Sequence, residues 1–428
     1  MLAIATAVAM ATASAEEPGR TPRFALYLEY EHFSYVTPIP DKVDNRNAIT
    51  AIPSIEWDLT SSLFFHFATL LRQDWSEEER SRVYPVDGYL RYESDSWAIK
   101  AGRQFITWGR SDRFRPTDVF KRYDFTDLIE GRELATDAVK VDLFRGPWTL
   151  EGVWAPLFNP DIISYRSENR WNGLPASIEV PGIGSVGPTF RQDPVQRPAA
   201  TLGAGQVGAR LGGSMGGWDF SGMYYYGYDR VPTYTTRMLT NFDPVGLQAS
   251  VTLSPVHQRI HVLGGDFATA ISGWGIRGEA AYTITAGLPP GVSGTNDSYA
   301  RLTVGVDRTF SRLPLGESLV VIGQYAADTA PRQPGSFDQQ DVDPRLHPFQ
   351  QALLASVTWK YSDFLQLTFK GYVNLLQGDY LIQPELSWKP IDAMTFVLGG
   401  DVLGGGPNTF FGQFRENNRV RFRVSYSF

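Results

Sequence analysis

The chain has no cysteine in 428 residues, which excludes a disulfide framework of the kind that braces small secreted domains. Beyond Ala15 it also has no apolar run approaching the roughly 18 residues a bilayer-spanning helix needs. The formal net charge of -7 is mild and diffuse, so there is no basic footprint for nucleic acid. Glycine is plentiful but spread over strand-like and turn-like segments, without a glycine-rich phosphate loop.

What is present begins with the one long apolar stretch. Met1 to Ala15 is nearly continuous Ala, Val, Ile, Leu and Met, and ends in Ala13-Ser14-Ala15 before Glu16-Glu17. An apolar core followed by a small-x-small site is the pattern of a secretory leader. We expect a signal peptide over residues 1–15 that lacks the usual charged n-region, and a single domain over 16–428. Export without disulfides or a membrane helix leaves a soluble periplasmic β-protein or an outer-membrane barrel.

Alternation decides between them. Val420, Phe422, Val424, Tyr426 and Phe428 fall on one face of a strand, and Arg421, Arg423, Ser425 and Ser427 on the other. A period of two with bulky apolar residues against arginine and serine suits a wall between lipid and water. Ending on Phe428, the segment resembles the C-terminal signal by which Gram-negative barrels are handed to the barrel assembly machinery. Similar segments recur: Leu63, Phe65, Phe67 and Leu71 against His66 and Arg72, and Leu302, Val304 and Val306 against Arg301, Thr303 and Asp307. Trp97, Trp148, Trp218, Trp274, Trp359, Tyr361 and Trp388 sit beside short turns, as an interfacial aromatic girdle requires. Tight links such as Arg145-Gly146-Pro147 and Ser272-Gly273 alternate with long polar stretches.

The expected fold is therefore all-β: a transmembrane antiparallel up-and-down β-barrel with short periplasmic turns and long extracellular loops. The count is 16 to 18 strands, best 18, with region 230–257 the least settled and the closing strand pairing with Arg23–Phe33. Barrels of this size enclose a wet lumen.

The stretch from Gly102 to Asp124 is the candidate constriction, inside a long insert over 106–135. It carries six cations, Arg103, Arg110, Arg113, Arg115, Lys121 and Arg122, against Asp112 and Asp118. Arginines inside a pore favour anions; alternatively these side chains pair with Asp112, Asp118, Asp124 and Asp127 and pin the insert to the wall. The remaining lumen face is expected to be polar and of mixed charge, lined by Arg91, Lys100, Lys140, Asp142, Glu151, Arg277, Glu279, Arg301, Asp307, Lys370, Arg421 and Arg423.

Gly102-Arg103-Gln104, Trp108-Gly109, Asp112, Phe114, Asp118-Val119 and Asp124 resemble a proteobacterial family of outer-membrane barrels without an agreed substrate. Trp154-Ala155-Pro156-Leu157-Phe158-Asn159-Pro160 resembles a later element of the same family. Pro116 falls within the motif stretch, and Lys121-Arg122 stand where the family usually has Asn-Pro. The resemblance covers residues 85–165. It implies a barrel passing hydrophobic or amphipathic compounds, and brings no catalytic residue.

Enzyme chemistry finds little footing. Only His32, His66, His257, His261 and His347 are available to a triad or a metal. His257 and His261 have HxxxH spacing without the helix and glutamate of a zinc protease. Asp338, Asp341 and Asp343 read as a solvated acidic loop rather than a Ca²⁺ site. We expect no enzyme, no cofactor and no metal. The expectation is a passive outer-membrane channel for small, anionic or amphipathic solutes, embedded in outer-membrane lipid, with a homo-oligomer or a periplasmic partner left open. Two alternatives stand beside it: a plugged barrel serving as sheath or docking platform for periplasmic or electron-transfer partners, and a barrel hydrolase.

Overall fold

The computed structural model describes residues 21–174, 178–180, 184–194, 198, 201–243, 246–286, 298–311, 313–329 and 348–428. The leader expected over 1–15 and the Asp338, Asp341 and Asp343 loop lie outside these residues. The barrel wall consists of β1 (Arg23–Tyr35), β2 (Asn45–Asp58), β3 (Leu63–Asp74), β4 (Arg82–Glu93), β5 (Trp97–Gln104) and β6 (Thr136–Arg145). It continues with β7 (Trp148–Ala155), β8 (Gln206–Met215), β9 (Trp218–Tyr228), β10 (Arg259–Ile271), β11 (Trp274–Thr285) and β12 (Tyr299–Ser311). It ends with β13 (Ser318–Thr329), β14 (Ala352–Ser362), β15 (Leu365–Asn374), β16 (Tyr380–Ile391), β17 (Met394–Gly404) and β18 (Arg419–Ser427).

These 18 strands form one closed antiparallel sheet. The ring shuts where β18 pairs with β1, Arg419 opposite Tyr35 and Ser427 opposite Tyr27. The seam thus lies slightly further toward the outer rim than the expected Arg23–Phe33 span. Closure matters because hydrocarbon supplies no partner for an open ladder edge.

The alternation read from the sequence becomes inside and outside. On β18, Val420 and Phe422 are exposed on the outer surface, as is Phe428 just past its end, while Arg419 is buried. Trp97, Trp148, Trp218, Trp274 and Trp388 are exposed beside the short turns, where an amphipathic ring meets lipid and water. Connections at that rim are two to six residues long, and those at the other run from five to fifty.

Region 230–257 does hold a hairpin, but not a wall hairpin. Thr233–Asp243 pairs with Gly246–Val256, and Pro188–Gln192 adds alongside in parallel. The wall has no room for it because β9 and β10 pair directly along Trp218–Tyr228.

Candidate functional site: a charged insert in the barrel lumen

The insert leaves the wall where β5 ends. Gly102 adopts φ +130°, and a Cβ there would stand 2.8 Å from the Tyr89 Cα, so only glycine fits this crowding against β4. Arg103 stays on the wall in a bidentate pair with Asp137 of β6, at 2.9 and 2.8 Å. Gln104 is buried and donates to the Ala138 carbonyl at 2.9 Å. The Gly-Arg-Gln triplet thus terminates one strand and locks the next to it.

The first arm packs against an apolar sector of the lumen. Trp108 meets Phe120 edge-on at 5.0 Å, and Phe120 meets Tyr225 at 5.1 Å. Around them lie Ala138, Val153, Met223, Ile260, Val262 and Ala281. Gly208 makes the space, since a Cβ there would lie 2.6 Å from Trp108. This corrects the expectation of a uniformly polar lumen: small apolar inward residues on β6 to β11 receive aromatic side chains of the insert.

A single carboxylate holds the turn after this arm. Glu279 accepts from the Arg110 and Ser111 amides at 2.6 and 2.5 Å, and from the Thr117 amide and hydroxyl at 3.3 and 2.8 Å. Gly109 permits that approach, because its Cβ would stand 2.9 Å from Glu279 Oε2 and 2.7 Å from the Arg115 Cβ. Pro116 is buried in the same turn. Gln324 adds a second hold, accepting from the Arg113 amide at 3.0 Å and donating to the Phe114 carbonyl at 2.8 Å.

The second arm reaches the outer rim. Arg46 and Arg419 both donate to Asp127, at 2.8 and 2.5 Å. Arg46 also reaches Glu130 at 2.9 Å, and Arg419 reaches Asp401 at 2.6 Å. Both guanidiniums lie against the Phe33 ring, 3.9 and 4.5 Å from its centroid. Burial alone would raise the Asp127 carboxyl, but Arg419, Arg46 and Arg80 outweigh it and hold it far below the usual carboxylate range.

The six cations of the candidate constriction do not converge on one ring. Arg110 pairs with Asp266 at 2.5 Å and Lys121 with Asp118 and Glu133 at 3.1 and 2.6 Å. Arg115 donates to the Ser111 carbonyl and lies 3.9 Å from Asp118. Arg122 donates to the carbonyls of Ala135 and Pro160; burial, with Arg230 nearby, lowers it to about 10. Asp112 pairs with Arg277 at 3.0 Å. Burial raises the Asp118 carboxyl against the pull of Lys121. Among the described residues, Arg113 and Arg122 are the two of the six with no ion-paired acid, and burial pulls the Arg113 guanidinium below its ordinary value.

The wall residues form paired ladders. Lys140 joins Asp142 and Glu151 at 2.8 and 2.9 Å, and Arg210 joins Glu151 and Asp266 at 2.7 and 3.2 Å. Arg277 also binds Asp307, Arg301 binds Asp328, and Arg421 binds Glu385. Arg423 reaches Glu29, Glu31 and Glu130. Arg91 lies 3.6 Å from Glu93, and the Lys100 ammonium sits 3.7 Å over the Tyr89 ring. Sequence reasoning missed Arg46, Arg132, Arg210, Asp266, Gln324 and Asp401. Most share the inward parity of the residues it named, the one signal that marks them.

Between the insert and the β15–β18 and β1–β4 side of the wall is a cavity of about 400 Å³. Arg113, Arg132 and Lys370 line it and form no ion pair among the described residues. Eight cationic and five acidic side chains face it in all, a surplus supplied by those three. No group of three or more His, Asp or Glu that could hold a metal occurs among the described residues. His257 bonds the Asp229 carbonyl while His261 bonds Tyr224, so the two share no ligand.

The family described as "Protein of unknown function (DUF1302)" matches residues 86–428. No curated protein matches the chain in sequence. Among solved structures, the outer-membrane channel OccK3 (OpdO) of Pseudomonas aeruginosa is similar with a TM-score of 0.53 at 10% identity, covering 95% of each chain. OccK2 (OpdF) of that organism, in complex with glucuronate, is similar with a TM-score of 0.51 at 11% identity, covering 95% of this chain and 97% of that one. OccK5 (OpdH), also from that organism, has a TM-score of 0.50 at 10% identity over the same shares. At such identities the likeness shows the fold, an outer-membrane porin-like barrel.

Proposed function

The chain belongs to the DUF1302 family, and from that premise we propose that it is a passive outer-membrane channel passing small anionic solutes through the cavity beside the insert. The observation that carries this is the trio of Arg113, Arg132 and Lys370 on one cavity without acidic partners. Elsewhere in the lumen charges are matched in ladders, which wet the wall but leave little net field. An unmatched cation between low-dielectric walls attracts anions far more strongly than it would in water. Carboxylates suit guanidinium best, through bidentate bonding. OccK2, similar in fold, was crystallised with glucuronate, a carboxylate sugar.

The test is conductance in planar bilayers under a salt gradient. Discrete steps with a reversal potential on the anion side are expected, and Arg113→Ala with Lys370→Ala should move that potential toward zero. Silent incorporation would instead leave the plugged platform, which the apolar packing of the first arm favours. Discrete steps with unchanged selectivity in the double variant would remove the anion assignment alone.

A further inference from the structure

The wall is not equally high all round. β4 spans 12 residues but its ladder to β5 runs only from Glu93 to Gly88, because β5 stops at Gln104 after eight. β6 enters at Thr136 and β7 ends at Ala155. At about 3.3 Å per residue and a tilt near 40°, eight residues climb roughly 20 Å and twelve roughly 30 Å, against an apolar band of about 25 Å. β5 and β7, eight residues each, therefore end below the outer edge of the band. β6 starts level with the end of β5 at the Gln104–Thr136 pair, and the β4 edge from Arg82 to Asp87 has no described strand beside it.

An open ladder edge facing hydrocarbon is prohibitive; it survives only where it lines protein or a polar cavity. A cavity of about 390 Å³ lies there, lined by the Arg82–Val86 edge and by Arg103, Arg122, Leu134, Ala135, Asn159 and Ile162. Its outward side is greasy: Val83 of the lining is 73% exposed, and just past the ends of β5 and β7 Phe105 is 38% and Leu157 44% exposed. Its inner side is cationic. Arg82 and Tyr84 line both this notch and the lumen cavity, and the Arg82–Asp124 pair, 3.0 Å apart, stands at that shared boundary.

We infer that this notch is a lateral portal joining the lumen to the outer leaflet, and that it takes amphipathic anions, a carboxylate head on an aliphatic chain. The head lies against Arg82, Arg103 and Arg122 while the chain leaves over Val83, Phe105 and Leu157 into lipid. A solute reaching the lumen that way must part Arg82 from Asp124. The assignment builds on the anion channel proposed above.

The test uses the full chain in phospholipid nanodiscs with a dodecanoate bearing a terminal diazirine. Photolabelling is expected to concentrate on Val83, Phe105 and Leu157, and to fall at least tenfold with excess laurate but not with dodecyltrimethylammonium. Ala135→Trp, which fills the notch, should abolish the label while leaving anion conductance in bilayers intact. Should that variant not fold, Val86→Cys blocked after folding with a bulky maleimide serves instead, at a unique site because the chain has no cysteine. Label spread evenly round the apolar belt, equal competition by the cation, or label undiminished by the plug would each overturn the portal. Conductance read on the same preparations shows separately whether the channel itself stands.

Discussion

Arg419, the first residue of the closing strand, donates to both oxygens of Asp127 at 2.5 and 3.1 Å, across 292 positions of sequence. The seam of the barrel and the insert in its lumen are therefore one charged unit. Arg46 completes it from β2. Such a cage is costly to assemble and costlier to break, since removing one member leaves buried charge uncompensated.

Asp127→Asn should accordingly destabilise the folded barrel by about 3–5 kcal/mol, because Arg46 and Arg419 then face an amide. Urea unfolding in lipid, followed by the heat-dependent gel shift of the barrel, reads this out. A loss within experimental scatter of the parent would show that Asp401 and Glu130 suffice.

Glu279→Gln should free the turn of the insert without unfolding the wall. Four donors address that carboxylate, and bonds to a charged acceptor contribute about 1.5–3 kcal/mol each. Larger and noisier single-channel conductance is expected, with faster proteolysis between Arg110 and Lys121. Conductance indistinguishable from the parent would mean that the insert does not limit flow.

Gly208→Val probes the apolar seat of the insert rather than its charges. The new side chain meets Trp108 and Phe120 within 3 Å, an overpacking of about 1–3 kcal/mol. Trp108 fluorescence should shift red as the ring is displaced toward water, and an unshifted spectrum would contradict the packing described.

Asp161 gives the outer loop a pH dependence. Its carboxylate accepts from the Tyr123 amide at 2.9 Å, and burial raises its pKa to about 6. A raised carboxyl favours the neutral form in the folded state. The stability contributed by the neutral, desolvated carboxyl is thus fully present below the unfolded value of about 3.9 and is lost as pH rises through 6, although the Tyr123 amide itself favours the charged form. Exchange of the Phe125 and Ile162 amides should, after correction for intrinsic rates, accelerate between pH 4 and 6 and then level off. Asp161→Asn should flatten that profile; a profile unchanged by the variant assigns the effect to another group. Asp127, held far below the usual range, stays charged throughout this window, so its cage keeps its stabilisation until the pH falls well below 4.

The alternation of Val420 to Phe428 was legible because the two sides of a membrane wall are different solvents, and a period of two records them directly. The same holds for the girdle tryptophans and the tight turns. The insert was legible as charged and unusual, but not as docked. Arg110 and Asp266, or Asp112 and Arg277, lie more than 150 positions apart, and no local pattern pairs them. The cation run from Arg103 to Arg122 suggested a ring; folding distributed it over separate partners on the wall and within the insert, leaving Arg113 and Arg122 without an acid. Arg132 and Arg46 escaped notice because each is an ordinary arginine until the chain is closed.

The sequence by itself thus determined the class of wall: closed, antiparallel, lipid outside and water inside, since each residue's solvent is set by its parity along a strand. Only the tertiary structure decided what that wall encloses. Which cation finds an acid, where Gly208 opens a seat for Trp108, and where β5 stops short beside β4 depend on contacts between distant strands. Those contacts exist only once Arg419 and Tyr35 have met and the ring is shut.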